Sequence, residues 1–453
     1  MLRRLVLAGL CLAVALSAAG ERLVAAPAPH SPVKSTRPLP RGETYVIRGA
    51  RMLAMTGKPP VPNAVVVVDQ GYIVAAGPAG QVRIPKHAQI LNAKGLTLLP
   101  GFIDMHVHSS VQGGMMPYLL ANGITSVRDL GCDEKALPDL LKYREQAARG
   151  EAVGPRLFVS GPPIDGRPRA ANWFPGPSVS TPAEARQAVN DLADQKVDVI
   201  KLYRRLSIAD GKAAVEAAHK RGLPVTWDYR WDFRYLQLAV LTGVDNIEHV
   251  FYSRKASGAE LDLLARLLGN AKTWFEPTLV AFRPPSEAVV HDVAFEQLPP
   301  GIRSFWKSLF WPMETPDEFA AMRSFVRRVH RQGGRFLVGT DTPVKYVAPG
   351  YSFHQEMALL AGCKLSNLEV LEAATHNAAL ALHKEKELGA IAPGWRADLV
   401  LLEANPLEDI RATRQVRWVI RGGRIFSPAP LLKQAKRDGP QQATRLPAPL
   451  ARF

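Results

Sequence analysis

The sequence predicts an α/β fold, a (β/α)8 barrel carrying a small β-sandwich domain made from N- and C-terminal segments. Three observations predict it. Between residues 99 and 384, short apolar runs of strand character alternate with amphipathic helical runs, the pattern of parallel βα units. These runs number eight, and the stretch has the size of such a barrel. A block of short strands punctuated by Gly and Pro precedes the barrel, and a matching block returns after it.

Residues 1–26 open with Met-Leu-Arg-Arg, continue through the apolar run LVLAGLCLAVALSAA and end among small residues. A basic start, an apolar stretch too short to span a bilayer and small-residue cleavage sites read as a secretory signal, with an uncleaved anchor as the rival. Cleavage places the mature chain in the periplasm or outside the cell. No later segment has about 18 uninterrupted apolar residues, so no stable membrane insertion is expected. Residues 27–43 form a Pro-rich linker. Cys132 and Cys363 remain after cleavage and fall in different halves of the barrel, so a disulfide framework is not indicated. The net charge of +16 is spread over scattered Arg and Lys, several in the terminal segments, and no nucleic-acid module accompanies it.

The first β block covers 44–98, with YVIRGARML, AVVVVDQGYIVAAG and AQILNAKGLTLLPG as strands; GAIAPGWRADLVLLE and VRWVIRGGRIF supply the second, within 385–427. Neither makes a convincing sheet alone, so the two are expected to pair. The barrel strands are GFIDMHVH, GITSVRDLG, RLFVSGPPI, VDVIKLY, LPVTWDY, VDNIEHV, WFEPTLV and RFLVGTDT. Two long connections, 161–181 and 281–318 (with Phe305, Trp306, Phe310 and Trp311), read either as lids or pocket walls or as packing against neighbouring helices. Residues 428–453 are Pro-, Arg- and Gln-rich and read as a disordered tail.

His106 and His108 are two apart on a strand, so both imidazoles project from one face and can share a cation. Lys201 ends the apolar run VDVI, where an unpaired ammonium is costly. Carbamylation by carbon dioxide would make it an anionic ligand able to bridge two metals; a snorkelling strand-end lysine is the alternative. His249 and Asp341 end the sixth and eighth strands. Five such residues at one rim are not independent accidents.

LPGFIDMHVH, IKLY, IEHV and VGTDT, bracketed by the two β blocks and followed by GWRADLVLLEANPLEDI, resemble the amidohydrolase superfamily, and more narrowly its imidazolonepropionase-like group that includes Xaa-Pro dipeptidases. The resemblance covers residues 44 to 427. It implies a centre of two divalent ions, zinc or else manganese or iron, in which His106, His108 and Asp341 bind the more buried ion. Carbamylated Lys201 would bridge to the second, which His249 holds. The family places a further histidine at the end of the fifth strand, where this chain has Asp228. Three explanations stay open: Asp228 ligates in its place, the second ion is absent, or Asp228 pairs with Arg230 and the site is dead.

The resemblance also implies that Asp341 takes a proton from water and passes it to the leaving amine, and that Tyr203 orients substrate. Arg230 could receive a substrate carboxylate. The resulting expectation is an exported metal-dependent hydrolase cleaving an amide bond in a short peptide or N-acyl amino acid. A cyclic-amide hydrolase or deaminase uses the same chemistry, and a catalytically inactive binding protein on the same barrel is the rival from another class. The expected partner is a small-molecule or short-peptide substrate and not nucleic acid; self-association is left open.

Overall fold

The computed structural model describes residues 44–438, apart from 109–113, 171–173, 230–231, 254–255 and, between 285 and 313, all but Leu298, Ile302 and Trp306. The expected signal segment 1–26, the linker 27–43, Arg230, Phe305, Phe310 and Trp311 lie outside the described residues.

Alternating side chains build the first block. β1 (Tyr45–Met52), β2 (Val61–Asp69), β3 (Tyr72–Pro78), β4 (Gln89–Asn92) and β5 (Thr97–Pro100) belong to one sheet, with β2 antiparallel to both β1 and β3. Val66 and Val68 join Tyr45 and Ile47 in one apolar cluster, whereas Val65 and Val67 join Val46 in another, as the period of two requires.

The barrel strands follow: β6 (Phe102–Val107), β7 (Ile124–Asp129) and β8 (Arg156–Val159), then, after the short loop pair β9 (Asp165–Gly166) and β10 (Ser178–Val179), β11 (Ile200–Leu202), β12 (Val225–Asp228), β13 (Asn246–Glu248), β14 (Trp274–Glu276) and β15 (Arg335–Phe336). Strands β6 to β8 form one parallel arc and β11 to β15 another. Backbone bonds close the arcs into a ring. On one seam Met105 N donates to Val338 O at 3.0 Å and Asp341 N to His106 O at 2.8 Å; on the other Asp198 N donates to Val159 O at 2.8 Å. Each of the eight predicted runs contains one of these strands.

The connecting helices are α1 (Met115–Ala121), α2 (Leu137–Arg149), α3 (Pro182–Asp194), α4 (Ile208–Lys220), α5 (Phe233–Leu241), α6 (Gly258–Asn270), α7 (Pro316–Arg331) and α8 (Tyr351–Gly362). Polar N-caps start several of them: Thr181, Ser207, Ser257 and Thr315 each accept a hydrogen bond from a backbone N–H three residues on. Helix α4 lies so close to β12 that a Cβ at Gly211 would collide with the Trp227 ring. That close approach holds the strand that carries Asp228.

After α9 (Asn367–Ala373) and α10 (His376–Ala381), β16 (Leu399–Leu402) pairs antiparallel with β5, and β17 (Val416–Arg421) and β18 (Arg424–Phe426) extend the sheet. Both ends of the chain thus share one sheet of order β18-β17-β16-β5-β1-β2-β3, with β4 on β1. Residues 439–453 lie outside the described residues, and the expectation of disorder from 428 needs correction over 428–438, where α11 (Pro428–Asp438) is helical. Its Leu431 packs with Leu120, Ala121 and Val419, and Ala435 is fully buried, so a short apolar stripe outweighs the polar composition. Cys132 and Cys363 are free and buried. Among the described residues no helix is long and apolar enough to cross a membrane.

His354, in α8, ties the end of α1 to the segment Ile410–Arg414. Its Nε2 donates to Asn122 O at 3.0 Å and its Nδ1 lies 3.1 Å from Thr413 Oγ1. Burial pushes its pKa down to about 3, with Arg414 adding to the effect against the Asn122 bond. The native state therefore keeps it neutral while the unfolded chain protonates it below about 6.5. Stability from this group is present above that pH and is lost as pH falls towards 3, by about 1.4 kcal/mol per pH unit. Urea unfolding at pH 7 and pH 5 should show the wild type losing about 2 kcal/mol more than His354→Gln; equal losses would remove this residue as a source of acid sensitivity.

Candidate metal centre

Strand β6 ends in the segment that sets the site. His106 is fully buried, and its Nδ1 lies 2.7 Å from Glu248 Oε2. A carboxylate accepts, so Nδ1 carries the proton and Nε2 presents its lone pair. That lone pair faces His108 Nε2 at 3.2 Å and Asp341 Oδ1 at 3.4 Å, and His108 Nε2 lies 3.0 Å from the same Oδ1. His106, His108 and Asp341 thus offer three ligand atoms within 4.8 Å of one another. Lone pairs and a carboxylate oxygen meeting this closely repel unless a cation or proton sits among them, and the donor set matches that of a divalent metal.

A second group adjoins the first. The His249 ring lies 4.9 Å from that of His106, its Nδ1 is 2.7 Å from Thr278 Oγ1, and its Nε2 is 3.5 Å from Asp228 Oδ2. Lys201, 2 % exposed on β11, has an Nζ without a hydrogen-bond partner among the described residues. An orphaned buried amine beside these groups is what a carbamate-forming lysine would leave, so the residues fit a bridged pair of ions. Asp228 is bound by Arg204, whose Nε donates to Oδ1 at 2.9 Å and whose second nitrogen donates to Oδ2 at 3.4 Å. Arg230, the partner expected for Asp228, is outside the described residues; the ion pair observed is with Arg204, in the turn that follows β11.

The backbone at this rim is unusual. His249, Thr278 and Asp341 all have positive φ, at 69°, 48° and 62°. Such conformations cost non-glycine residues roughly 1–3 kcal/mol each and gather at functional sites. They turn each side chain inward just as its strand ends; His249 N, for example, donates to Glu276 O at 2.8 Å.

Beneath the imidazoles lies a polar layer that sequence reasoning missed. The Arg128 terminal nitrogen donates to Glu248 Oε1 at 2.8 Å and to Glu276 Oε2 at 2.5 Å, and its Nε donates to Met105 O at 2.6 Å. Asn246 and the Thr226 hydroxyl add bonds to the carboxylates. Asp104 accepts from Thr340 Oγ1 at 2.8 Å and from His106 N at 3.2 Å, tying β6 to the Asp341 loop. A Cβ at Gly339 would collide with the Glu276 carboxylate and the His106 Cβ, so the loop accepts only glycine there. The signal in the sequence was a charged residue inside each of the apolar runs SVRDL, NIEHV and WFEP.

Charge follows burial and pairing. Burial pushes His106 down to about 4, against the opposing pull of Glu248 and Asp341, which keeps the imidazole neutral and able to ligate. Burial alone would raise Glu248, Asp228 and Asp341, but the Arg128 guanidinium outweighs it for Glu248, Arg204 for Asp228, and the neighbouring imidazoles of His106 and His108 for Asp341, so all three lie below the usual carboxylate range. Glu276 is pushed well above it by burial and by Glu248, despite Arg128. Burial lifts Asp104 to about 7.

Aromatic residues roof the site. Phe174, from the 161–181 connection, stacks on His108 at 5.0 Å, and Phe282 sets its edge against His249 at 5.7 Å. Trp306 Nε1 donates to Pro343 O at 2.9 Å, next to the Asp341 loop. Tyr203, at the end of β11, is buried with the Arg204 guanidinium over its ring at 5.2 Å.

An eight-stranded parallel barrel whose strand ends bring imidazoles and carboxylates together is the build of a barrel enzyme. The amidohydrolase family model matches residues 97–426, and the chain belongs to that family; it is a hydrolase acting on carbon–nitrogen bonds. It is 24% identical over 442 residues to ochratoxinase from Aspergillus niger, covering 81% of this chain and 83% of the relative. Among solved structures, a putative prolidase from Bifidobacterium longum superposes with TM-score 0.68 at 25% identity, over 87% of this chain and all (100%) of that one. Phenylurea hydrolase B reaches TM-score 0.71 at 18% identity, over 89% of this chain and 100% of that one, a likeness of fold.

Proposed function

We propose that this chain is an exported, metal-dependent amide hydrolase that releases an amino acid from a short peptide or an N-acyl amino acid. The convergence of His106 Nε2, His108 Nε2 and Asp341 Oδ1, three possible ligand atoms within 4.8 Å, carries the reading. His106, His108 and Asp341 would hold the first of two zinc, manganese or iron ions; Lys201 as its carbamate, Asp228 and His249 would hold the second. When held by these residues, a divalent cation would polarise the scissile carbonyl and bring the acidity of a water towards neutral pH. Asp341 accepts that water's proton at its carboxylate and delivers it to the leaving nitrogen. His249, oriented by Thr278, and His106, oriented by Glu248, keep their positions through the reaction because their second nitrogens are already bonded. Phe174 and Phe282 limit water around the reacting atoms. Tyr203 and Arg230 are assigned to substrate orientation, Arg230 on the carboxylate. The names of the prolidase and ochratoxinase relatives support an amide substrate, and the opening residues of the sequence support export to the periplasm or medium.

The test is metal analysis of chelator-free protein, native mass for the carbamate, and hydrolysis of a panel of dipeptides and N-acyl amino acids. Bound zinc, manganese or iron, loss of turnover with a chelator and its return on adding the ion are expected. Metal-free protein that binds these compounds without cleaving them would replace this reading with that of an inactive binding protein.

A further inference from the structure

We propose that Asp228 and Arg204 act as one unit, a charge-neutral substitute for an imidazole at the second cation position, with Arg204 the positioning residue for Asp228. This rests on the two-ion reading above. Asp228 is 3 % exposed, and an anion in that place adds a negative charge that a neutral imidazole would not. The Arg204 guanidinium returns the sum to zero, and it does so asymmetrically. Its Nε takes Oδ1 at 2.9 Å, whereas the bond to Oδ2 is long, at 3.4 Å. Oδ2 is accordingly the oxygen left facing His249 Nε2, 3.5 Å away, and the other His249 nitrogen is committed to Thr278. Two possible ligand atoms, Asp228 Oδ2 and His249 Nε2, therefore face each other here, and Lys201 Nζ, without a hydrogen-bond partner among the described residues, belongs to the same group of strands.

The topology explains how the chain supplies this partner. Strands β11 and β12 are neighbours, with Leu202 opposite Trp227, so the residue after β11 stands beside Asp228 and Arg204 one step beyond it. The Tyr203 ring under the guanidinium, at 5.2 Å, restricts where Arg204 can go. Fork geometry fixes a carboxylate in a way that a lysine would not, and an outer residue that orients a ligating carboxylate contributes about 10- to 100-fold to metal affinity.

The experiment is zinc stoichiometry and affinity, measured by competition with a chelating dye on the full-length protein, with folding checked by circular dichroism. Wild type should bind two equivalents. Arg204→Met should bind the first ion as wild type does and the second about 10- to 100-fold more weakly, and Arg204→Lys should fall between. The sign should reverse in the other background: Asp228→His with Arg204 retained removes the carboxylate that offsets the guanidinium and leaves its positive charge near the metal, so Asp228→His/Arg204→Met should bind the second ion more tightly than Asp228→His alone. If Arg204→Met does not fold, this last comparison carries the test, because the double variant leaves no carboxylate unpaired. An Arg204→Met protein whose second ion binds as well or better, or a double variant no tighter than Asp228→His, overturns the proposal. A wild type that saturates at one ion also overturns it while leaving the first position intact; a wild type with no ion overturns the functional reading itself.

Discussion

Asp341→Asn is expected to lower kcat/KM by about 10²- to 10⁴-fold, the range for removal of a general base and acid. Asparagine keeps an oxygen of nearly the same position and size, so the bonds that shape the loop, Asp341 N to His106 O at 2.8 Å and Val344 N to Asp341 O at 3.1 Å, survive. What it loses is the capacity to hold a proton between the attack of water and the departure of the amine. Asp341 also lies 3.0 Å from His108 Nε2, so weaker binding of the first ion is part of the expected phenotype. The two effects separate by saturation. With excess zinc restoring full occupancy, a kcat still reduced at least 100-fold identifies the proton-transfer role, whereas recovery of wild-type kcat leaves Asp341 a ligand alone and removes it from the chemistry.

The rim residues were readable because each lies in or just beyond a strand that the apolar pattern announces. His106, His108, Lys201, His249 and Asp341 all stand at the carboxyl ends of runs with strand period, and the parallel topology puts such ends on one face. The partners of these residues were not readable in the same way. Arg204 meets Asp228 from the turn that follows β11, a relation set by the β11–β12 pairing that spacing along one strand does not contain; the i, i+2 rule offers only Arg230, which lies outside the described residues. Glu248 and Glu276 stand opposite each other on the neighbouring strands β13 and β14, but Arg128 comes from β7 and meets them only across the barrel interior. Their presence in apolar runs signalled buried pairs, because an unpaired charge there is too costly; which residue pairs with which depends on barrel closure. Phe174 reaches His108 from a loop whose Gly and Pro content marks a connection without fixing its path. Helix α11 was hidden by composition, since only Leu431 and Ala435 need to be buried for it to dock.

The pairing of Arg128 with two carboxylates leads to the second large effect. Arg128 and Glu248 are both essentially without solvent contact, their bond is 2.8 Å long, and Glu248 in turn holds His106 Nδ1 at 2.7 Å. Arg128→Met keeps most of the side-chain volume and withdraws the cation. Removing one partner of a buried pair costs about 3–5 kcal/mol because the remaining charge is left uncompensated. The deficit falls on Glu248, which Arg128 keeps ionised, more than on Glu276, whose pKa is already pushed up. If Glu248 then takes up a proton, its bond to His106 weakens and the imidazole no longer has its Nε2 lone pair fixed towards His108 and Asp341. Weaker binding of the first ion by about 10- to 100-fold should therefore accompany the loss of stability. Adding Glu248→Gln to Arg128→Met should recover part of the stability, since no buried charge is then unpaired, but should not recover the metal affinity. That divergence separates the two roles of the arginine. An Arg128→Met protein within about 0.5 kcal/mol of wild type, the range of ordinary surface changes, would mean that the buried carboxylates are neutral without it and that the layer under His106 does not depend on its charge.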